Sequence, residues 1–494
     1  MFRNYLKTAW RNIVRNKSYS LINVTGLAVG IAAALLIFIV VSYELSYDRF
    51  QKNYNDIYRV VTNTSHPDGN TQRNPGIQGG AVAPLSVHFP QFLKTVPITE
   101  DSWPQFTVLG DRADNDVASS KKFIEENRIA VFTQPAYFDV FNAKWLAGDK
   151  NVLNDPSGIV LNKTLATKYF GNWTNAPGKF LKLDNTILLK VGGVVEDAPE
   201  NSDFPIIAFL SYEAFKKAGS TYGYYPDWNT LSSNNQLYVL LPPAANIAAL
   251  DTQLNSYLHA QQGKDLRKNS RYALQPLKDM HFDHRYETFG DHSSNKNILL
   301  TLALIGVLII CMASINYINL ATAQAIHRSK EVGIRKVLGS RRSSLMMQVM
   351  SETFIVVLLS TVIAVLMAKL SLPYLPDVAT VPKDIALLNT KTIFFLTAGI
   401  VVVTLLSGIY PAVILSRYQP VLALKNKITS ATIGGISLRR ILVVTQFAVS
   451  QMLIIGTIVA VSQMNYVQNA DLGFNKDAVL VLPAYSDSAN LSRM

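Results

Sequence analysis

The chain has 494 residues, 49% of them hydrophobic, and carries 46 Lys and Arg against 34 Asp and Glu, a net charge of +12. Residues 44–296 hold 25 of the basic and 27 of the acidic side chains, so the basic excess lies outside this region, beside long apolar runs. This distribution argues against nucleic acid as a partner, because a nucleic-acid-binding protein carries its basic face on a folded domain. The length allows two or more domains, and the single cysteine, Cys311, excludes a disulfide within the chain.

Residues 1–20 predict an amphipathic entry helix on the cytoplasmic side. Its apolar side chains recur at helical spacing, with basic side chains on the other face; they are Tyr5, Leu6, Ala9, Trp10, Ile13 and Val14. Such a helix lies in the inner membrane interface. The alternative is a solvated basic segment whose positive charges only keep the N-terminus on the cytoplasmic side. The apolar run that follows is too long for a signal peptide and lacks a clear A-x-A cleavage site, so we expect an uncleaved anchor.

Five apolar segments are long enough to cross a membrane, which takes about 20 residues of helix. They are residues 21–43, 297–320, 349–372, 393–415 and 441–463. The segments rich in Lys and Arg that flank them are 1–20, 321–348 and 416–440. The positive-inside rule places these basic segments and the N-terminus in the cytoplasm, and residues 44–296 on the outer side of the membrane.

Residues 44–296 predict one large mixed α/β domain, inserted between the first and second spans of a multi-pass α-helical membrane protein. Strand-like runs such as Ile57–Thr62 and Ile187–Val195 alternate with helical patterns such as Lys163–Phe170. No G-x-S-x-G, H-E-x-x-H or C-x-x-C motif occurs, so we predict no catalytic residues and no enzyme activity.

Side chains of the kind that bind metals gather near the end of this domain. They are His281, Asp283, His284, Asp291 and His292. Their spacing matches no ligand pattern, and a polar surface loop accounts for them equally well. The sequence therefore predicts no metal site.

The basic segment 321–348 also has regular apolar positions, at Val332, Ile334, Val337 and Leu338. Charges at the rim of this apolar face come from Glu331, Arg335 and Lys336. Two glycines, Gly333 and Gly339, permit close approach and a helix stop. A segment with this pattern is suited to contact with a partner, the alternative being a basic loop that only sets the topology.

Little else in the sequence provides machinery for transport. Ionisable groups are sparse in the spans, and Glu352 lies near the inner boundary, where we expect a contact at the interface or with the basic segment 321–348 rather than a proton relay. The phosphate-binding motif G-x-x-x-x-G-K-[ST] does not occur, so the chain is not its own conventional ATPase.

Four stretches resemble, in order, the permease subunits of ABC transporters of the MacB/FtsX type. The first is WRNIVRNKSYSLINVTGLAVGIA, which is similar to the family's entry helix and first span. The motifs AYFDVFNAKWLAGD, SGIVLNKTLATKYFG, APGKFLKL and VGGVVEDAPENSDF resemble the MacB-like periplasmic core domain. RSKEVGIRKVLGS resembles the segment that meets the ATPase, and SGIYPAVILSRYQPVLALK the exit of the fourth span.

The resemblance implies that a separate ABC ATP-binding subunit, which would bind ATP and Mg²⁺, drives the chain from the cytoplasm; the chain itself would bind no cofactor. Residues 321–348 would then be the coupling segment, and its ATPase-docking residues would be Glu331, Val332, Gly333, Ile334, Arg335, Lys336, Leu338 and Gly339. Movement of the periplasmic domain would then serve efflux, lipoprotein handling or envelope control. Other partners implied are the lipid bilayer and periplasmic adaptor or envelope proteins.

Residues 438–483 resemble the start of a second unit of the same kind, since Arg439 and Arg440 precede its apolar run. We therefore expect either a fragment of a roughly doubled protein or a second permease unit supplied by a homodimer or a paralogue. A membrane sensor or scaffold that binds a ligand or envelope protein without transport is the alternative function. It is disfavoured because the longest predicted cytoplasmic segment is too short for an output domain.

Overall fold

The computed structural model describes residues 2–114, 120–126, 128–261, 269–290, 292–327, 329–417 and 436–470. The described residues form two compact units. The helical unit comprises those within 1–43 and 297–470, and the sheet unit those within 44–296.

The described helices are numbered in chain order. They are α1 Phe2–Arg15, α2 Lys17–Glu44, α3 Val82–His88, α4 Tyr137–Val140, α5 Lys163–Phe170, α6 Tyr212–Ala218, α7 Ile247–Gln261, α8 Leu277–Met280, α9 Lys296–His327, α10 Ser329–Val337, α11 Arg342–Ser371, α12 Thr390–Arg417 and α13 Ile436–Asn469.

The described strands all belong to one mixed sheet. They are β1 Ile57–Ser65, β2 Thr71–Asn74, β3 Lys94–Ser102, β4 Gln105–Gly110, β5 Lys121–Ile124, β6 Ile129–Thr133, β7 Trp145–Ala147, β8 Gly158–Asn162, β9 Phe180–Leu183, β10 Ile187–Val195, β11 Ile206–Ser211, β12 Asn235–Leu240 and β13 Ser270–Pro276. The spatial order is β13-β1-β12-β3-β6-β11-β8-β10-β9-β4-β5, with β2 beside β1 and β7 beside β10. The pairs β6–β11 and β8–β10 are parallel, and the other pairs are antiparallel.

The central strands are buried on both faces, which explains their continuous apolar runs. In β6, Ala130 and Phe132 enter one hydrophobic core, whereas Ile129 and Val131 enter the other. This period of two is the alternation that a strand imposes on successive side chains. Each core is therefore built from alternate residues of the same strands, closed by the helices of the sheet unit.

A buried arginine links the strands at one end of the sheet. Arg59 of β1 is fully buried, and its guanidinium donates to Gln275 Oε1 of β13 at 2.7 Å and to Gln236 Oε1 of β12 at 3.0 Å. The backbone carbonyl of Glu287 accepts a further bond at 2.9 Å. Neutral acceptors on three segments therefore hold the chain after β13 against the sheet.

Five helices are long and apolar enough to cross a membrane, namely α2, α9, α11, α12 and α13. Together with the large mixed sheet they confirm the predicted fold class. Helix α9 is longer than the segment from which it was predicted and continues to His327, so the predicted coupling segment is largely helical. Strand β10 and helix α5 have the bounds expected from the sequence.

Small residues let the membrane helices approach closely. A Cβ added at Gly30 of α2 would lie 2.7 Å from the Cβ of Ala313 in α9. A Cβ at Gly408 of α12 would lie 2.8 Å from the sulfur of Met350 in α11. Such contacts are typical of helix packing in lipid, where burial of apolar area gives little driving force and close van der Waals contact replaces it.

Candidate functional site

The short helix α10 is set off from α11 by a glycine turn. Gly339 has φ +91°, a conformation that residues with a Cβ rarely adopt. Its N–H donates to the carbonyl of Lys336, and the N–H of Ser340 donates to the carbonyl of Arg335, each at 3.0 Å. These two bonds form a Schellman motif, which ends α10 and lets the chain enter α11 at Arg342.

One side of α10 packs into the helical unit. Val332 is buried with Leu345 of α11 and Leu415 of α12, and Gly333 beside it is also buried. The sequence analysis assigned Val332 to an outward apolar face together with Ile334, but the two side chains point in different directions. Their spacing of two residues turns them about 200° apart on a helix.

The other apolar side chains of this segment face outward. Ile334 is 51% exposed, Val337 65% and Leu338 80%. Leu338 follows the last residue of α10 and precedes the glycine turn. These three side chains, named here the Ile334 face, form an apolar surface that is exposed among the described residues, on a segment whose opposite side is packed.

Hydrogen bonds fix α10 to α11 and α12. Lys336 Nζ donates to the carbonyl of Ser416 near the end of α12 at 2.7 Å. Arg342 Nε, at the start of α11, donates to Oγ of the same Ser416 at 3.2 Å and so joins α11 to α12. Arg335 donates to Gln348 Oε1 at 2.6 Å and pairs with Glu331. Partial burial, and then the charge of Arg342, lower the pKa of Lys336. Arg335 and Lys336, placed by the sequence analysis at a charged rim, thus also hold α10 in position.

A polar cavity of about 190 Å³ lies between α1, α10 and α11. Its charged lining residues are Arg11, Arg15, Glu331, Arg335 and Glu352. Glu352 is almost buried, and its Oε1 accepts a hydrogen bond from Asn12 Nδ2 of α1 at 2.7 Å. The entry helix is therefore tied to α11 beside α10.

A second group of charged side chains lies in the sheet unit and is named here the Glu44 cluster: Glu44, Asp203, His281 and His292. His281 Nε2 lies 2.8 Å from Glu44 Oε2, and its Nδ1 lies 3.0 Å from Asp203 Oδ1. His292 Nε2 lies 3.1 Å from Glu44 Oε1. Glu44, Asp203 and His281 are buried, whereas the side chain of His292 is 28% exposed.

The surroundings of His281 favour a positive charge on its ring. Burial would lower the pKa of His281, but hydrogen bonds to Asp203 and Glu44, and the charges of both, raise it to about 9. The ring of Tyr47 stacks on the imidazole with the centroids 3.5 Å apart, an arrangement that stabilises a cation. Next to it, burial and the charge of Asp203 raise the pKa of Asp48 to about 7.

Two of the histidines that the sequence analysis grouped do come together. His281 and His292 both contact Glu44, whereas Asp283 binds Arg285 at 2.6 Å and His284 is exposed. Asp291 lies outside the described residues.

The acidic members of the cluster, Glu44 and Asp203, were not predicted from the sequence. Glu44 precedes His281 by 237 positions, and Asp203 precedes it by 78. Neither residue belongs to a motif, so no local pattern indicates the contact.

Two family models match the chain. The MacB-like periplasmic core domain matches residues 20–257, and the FtsX-like permease C-terminal domain matches residues 303–420. The first covers most of α2 and most of the sheet unit, and the second covers most of α9 together with α10, α11 and α12.

Similar curated proteins are macrolide export ATP-binding/permease proteins named MacB. The chain is 22% identical over 296 residues to that of Neisseria meningitidis, covering 58% of this chain and 42% of that protein. It is 23% identical over 381 residues to that of Escherichia coli K12, covering 75% of this chain and 52% of that protein. The chain thus spans about half the length of the curated relatives it matches.

Two solved structures are similar to parts of the chain. One is a domain of a Porphyromonas gingivalis permease protein, with 20% identity and a TM-score of 0.37 over 48% of this chain and 94% of that one. The other is the periplasmic region of MacB from Actinobacillus actinomycetemcomitans, with 16% identity and a TM-score of 0.31 over 46% of this chain and 91% of that one.

The family assignment rests on the two family models and the five apolar helices. On this evidence, the chain belongs to the MacB/FtsX-type permeases and is a multi-pass inner-membrane protein.

Proposed function

We propose that this chain is the permease of an ABC transporter and couples ATP hydrolysis by a separate ATPase to movement of its sheet unit. The FtsX-like match includes α10, and the names of the curated relatives pair an ATP-binding function with a permease function. The proposal covers efflux, lipoprotein handling and envelope control without choosing among them. A second permease unit and periplasmic adaptor or envelope proteins complete the proposed assembly.

The observation that carries the proposal is the two-sided packing of α10. Val332 is buried against α11 and α12, while the Ile334 face is exposed on the other side of the same short segment. An amphipathic helix that presents apolar anchors is suited to a hydrophobic groove on a partner. Since Lys336 bonds to the end of α12 and Arg335 bonds to Gln348 of α11, a push on the Ile334 face would be passed to two membrane helices.

Substitutions at the exposed residues Ile334 and Leu338 test this proposal, because changes at exposed positions should leave the fold intact. We expect Leu338→Glu and Ile334→Glu to reduce co-purification of the ABC ATPase encoded nearest to this chain's gene at least tenfold, because a carboxylate in an apolar groove loses its hydration. The ATP hydrolysis that the permease stimulates should fall in parallel. Gly333 is left unchanged because it is buried and its replacement would disturb packing.

The matched control is Val378→Glu, in the loop between α11 and α12. Val378 is 86% exposed, comparable with Leu338 at 80%, and lies on the side predicted to be periplasmic. This variant should bind the ATPase like the unmodified protein. Equal binding by Leu338→Glu, Ile334→Glu and Val378→Glu would refute the proposed docking surface and favour the sensor function.

A further inference from the structure

In the Glu44 cluster a histidine nitrogen and a carboxylate oxygen lie so close that either a proton or a metal ion must lie between them. Asp203 accepts a hydrogen bond from His281 Nδ1 at 3.0 Å, which places a proton on that nitrogen. The other nitrogen of the same ring lies 2.8 Å from a carboxylate oxygen of Glu44. Without a metal ion, the positive charge that the surroundings favour places a second proton on this nitrogen, whereas the neutral ring would offer its lone pair there to a metal ion. Two lone pairs at this distance repel each other unless a proton or a metal ion lies between them.

A second histidine points at the same carboxylate. His292 Nε2 lies 3.1 Å from the other oxygen of Glu44, and the ligand atoms of Glu44, His281 and His292 all lie within 4.8 Å of one another. In a tetrahedral zinc site with bonds of about 2.0–2.1 Å, neighbouring ligand atoms are about 3.3 Å apart. After small movements of the side chains, a single metal ion could accept a lone pair from each of the three groups. Without a metal ion, each contact between a histidine nitrogen and a carboxylate oxygen needs a proton of its own.

The groups around these three ligands also match a metal site. A histidine that binds a metal usually donates its other N–H to a carboxylate, as His281 does to Asp203. The second carboxylate oxygen of Asp203 is buried and has no hydrogen-bond partner among the described residues, so it is an acceptor that nothing described satisfies. The partial exposure of His292 leaves one side open for entry of the ion and for a water ligand.

We propose that Glu44, His281 and His292 bind a divalent transition-metal ion of the zinc class, with Asp203 orienting His281 by accepting a hydrogen bond from its Nδ1. Imidazole and carboxylate ligands in this ratio suit Zn²⁺. Glu44 is the first residue of the sheet unit, and His292 lies four positions before the start of α9. A bound ion would therefore join the beginning of the sheet unit to its end, independently of any ATPase.

The test uses the full chain in detergent, purified with a tag that contains no histidine and treated with a chelator. We expect one equivalent of Zn²⁺ per chain by calorimetry and elemental analysis, and visible Co²⁺ absorption bands typical of four-coordinate nitrogen and oxygen ligands. The variants His292→Gln and Glu44→Gln should bind Zn²⁺ at least tenfold more weakly and lose the Co²⁺ bands. His284→Gln is the control, because His284 is exposed and outside the cluster.

Thermal unfolding separates loss of the site from loss of the fold. Zn²⁺ should raise the Tm of the unmodified protein and of His284→Gln, since a ligand that binds only the folded state stabilises it. His292→Gln should have an unchanged Tm in chelator and no response to Zn²⁺. If the unmodified protein binds no stoichiometric Zn²⁺, the proposal is wrong and protons bridge the cluster. The proposal is also wrong if His292→Gln and Glu44→Gln both bind Zn²⁺ with the affinity of the unmodified protein.

Discussion

Asp101 in β3 shows how one buried carboxylate makes the stability of the sheet unit depend on pH. One of its oxygens is buried without a hydrogen-bond partner among the described residues. Burial, followed by the charges of Asp184 and Glu100, raises the pKa of Asp101 to about 8. The charged form is thus disfavoured in the folded state.

The raised pKa predicts that the sheet unit loses stability as the pH rises. Between about pH 4 and pH 8 the unfolded chain releases the proton of Asp101 while the folded chain keeps it, so the free energy of unfolding falls over this range and levels off above it. We expect Asp101→Asn to increase this free energy at pH 9 by about 1–3 kcal/mol, since each unit of pKa difference is worth about 1.4 kcal/mol and partial exposure weakens the effect. Near pH 4 the variant and the unmodified protein should be equal.

Thermal melts of the two proteins from pH 4 to pH 9 measure this difference. Asp139→Asn serves as a control of opposite sign, because the hydrogen bond and charge of Lys150, with help from Lys94, lower the pKa of Asp139. That carboxylate stabilises the fold above its unfolded pKa, and its contribution is lost as the pH falls. If the melting curves of Asp101→Asn and the unmodified protein stay parallel at all pH values, Asp101 is not the buried titrating group.

At the level of elements, local sequence patterns predict that a helix or strand exists better than they predict which of its faces packs against the rest of the protein. The strand Ile187–Val195 and the helix Lys163–Phe170 were predictable because their periodicity lies within one short window. The opposite directions of Val332 and Ile334 were not, because either side of α10 could face α11 and α12. Packing of the whole helical unit makes that choice.

The candidate sites depend still more on distant contacts. The segment around α10 could be recognised in the sequence because its basic side chains and glycines lie within one continuous stretch of the chain. The Glu44 cluster joins residues that lie 237 positions apart, and their pairing follows from the topology of the sheet unit. His281 and His292 were recognisable as ligand types, but their acidic partners could not be identified without the fold.

The glycine turn after α10 predicts a local loss of stability in one variant. Gly339→Ala would place a Cβ in a conformation with φ +91° that costs about 1–2 kcal/mol. Since the two Schellman bonds hold the end of α10, we expect backbone amides of residues 329–340 to exchange hydrogen roughly five- to tenfold faster. Hydrogen–deuterium exchange by mass spectrometry measures this change.

Gly399→Ala is the matched control for that experiment. Gly399 lies within α12, and a Cβ there would meet no atom within 4 Å. This variant should leave the exchange of residues 329–340 unchanged. Unchanged exchange in Gly339→Ala as well would mean that the hydrogen bonds of Lys336 and Arg335, rather than the turn, hold α10.

At the scale of the whole molecule, the side of the membrane on which α10 lies decides whether an ATPase can reach it. Basic side chains flank the spans on the side that carries α10, whereas residues 44–296 are nearly neutral. The positive-inside rule therefore predicts α10 in the cytoplasm and the sheet unit in the periplasm. The single cysteine makes this testable, because Cys311→Ala gives a background without thiols.

Single cysteines placed in that background report the orientation. Asn70→Cys in the sheet unit and Val378→Cys between α11 and α12 should react in intact spheroplasts with a maleimide that does not cross membranes. Ser340→Cys, next to the glycine turn, should react only after the membrane is permeabilised; all three positions are exposed, so burial does not bias the comparison. Labelling of Ser340→Cys in intact spheroplasts would place α10 away from ATP, and the Ile334 face could then not serve an ATPase.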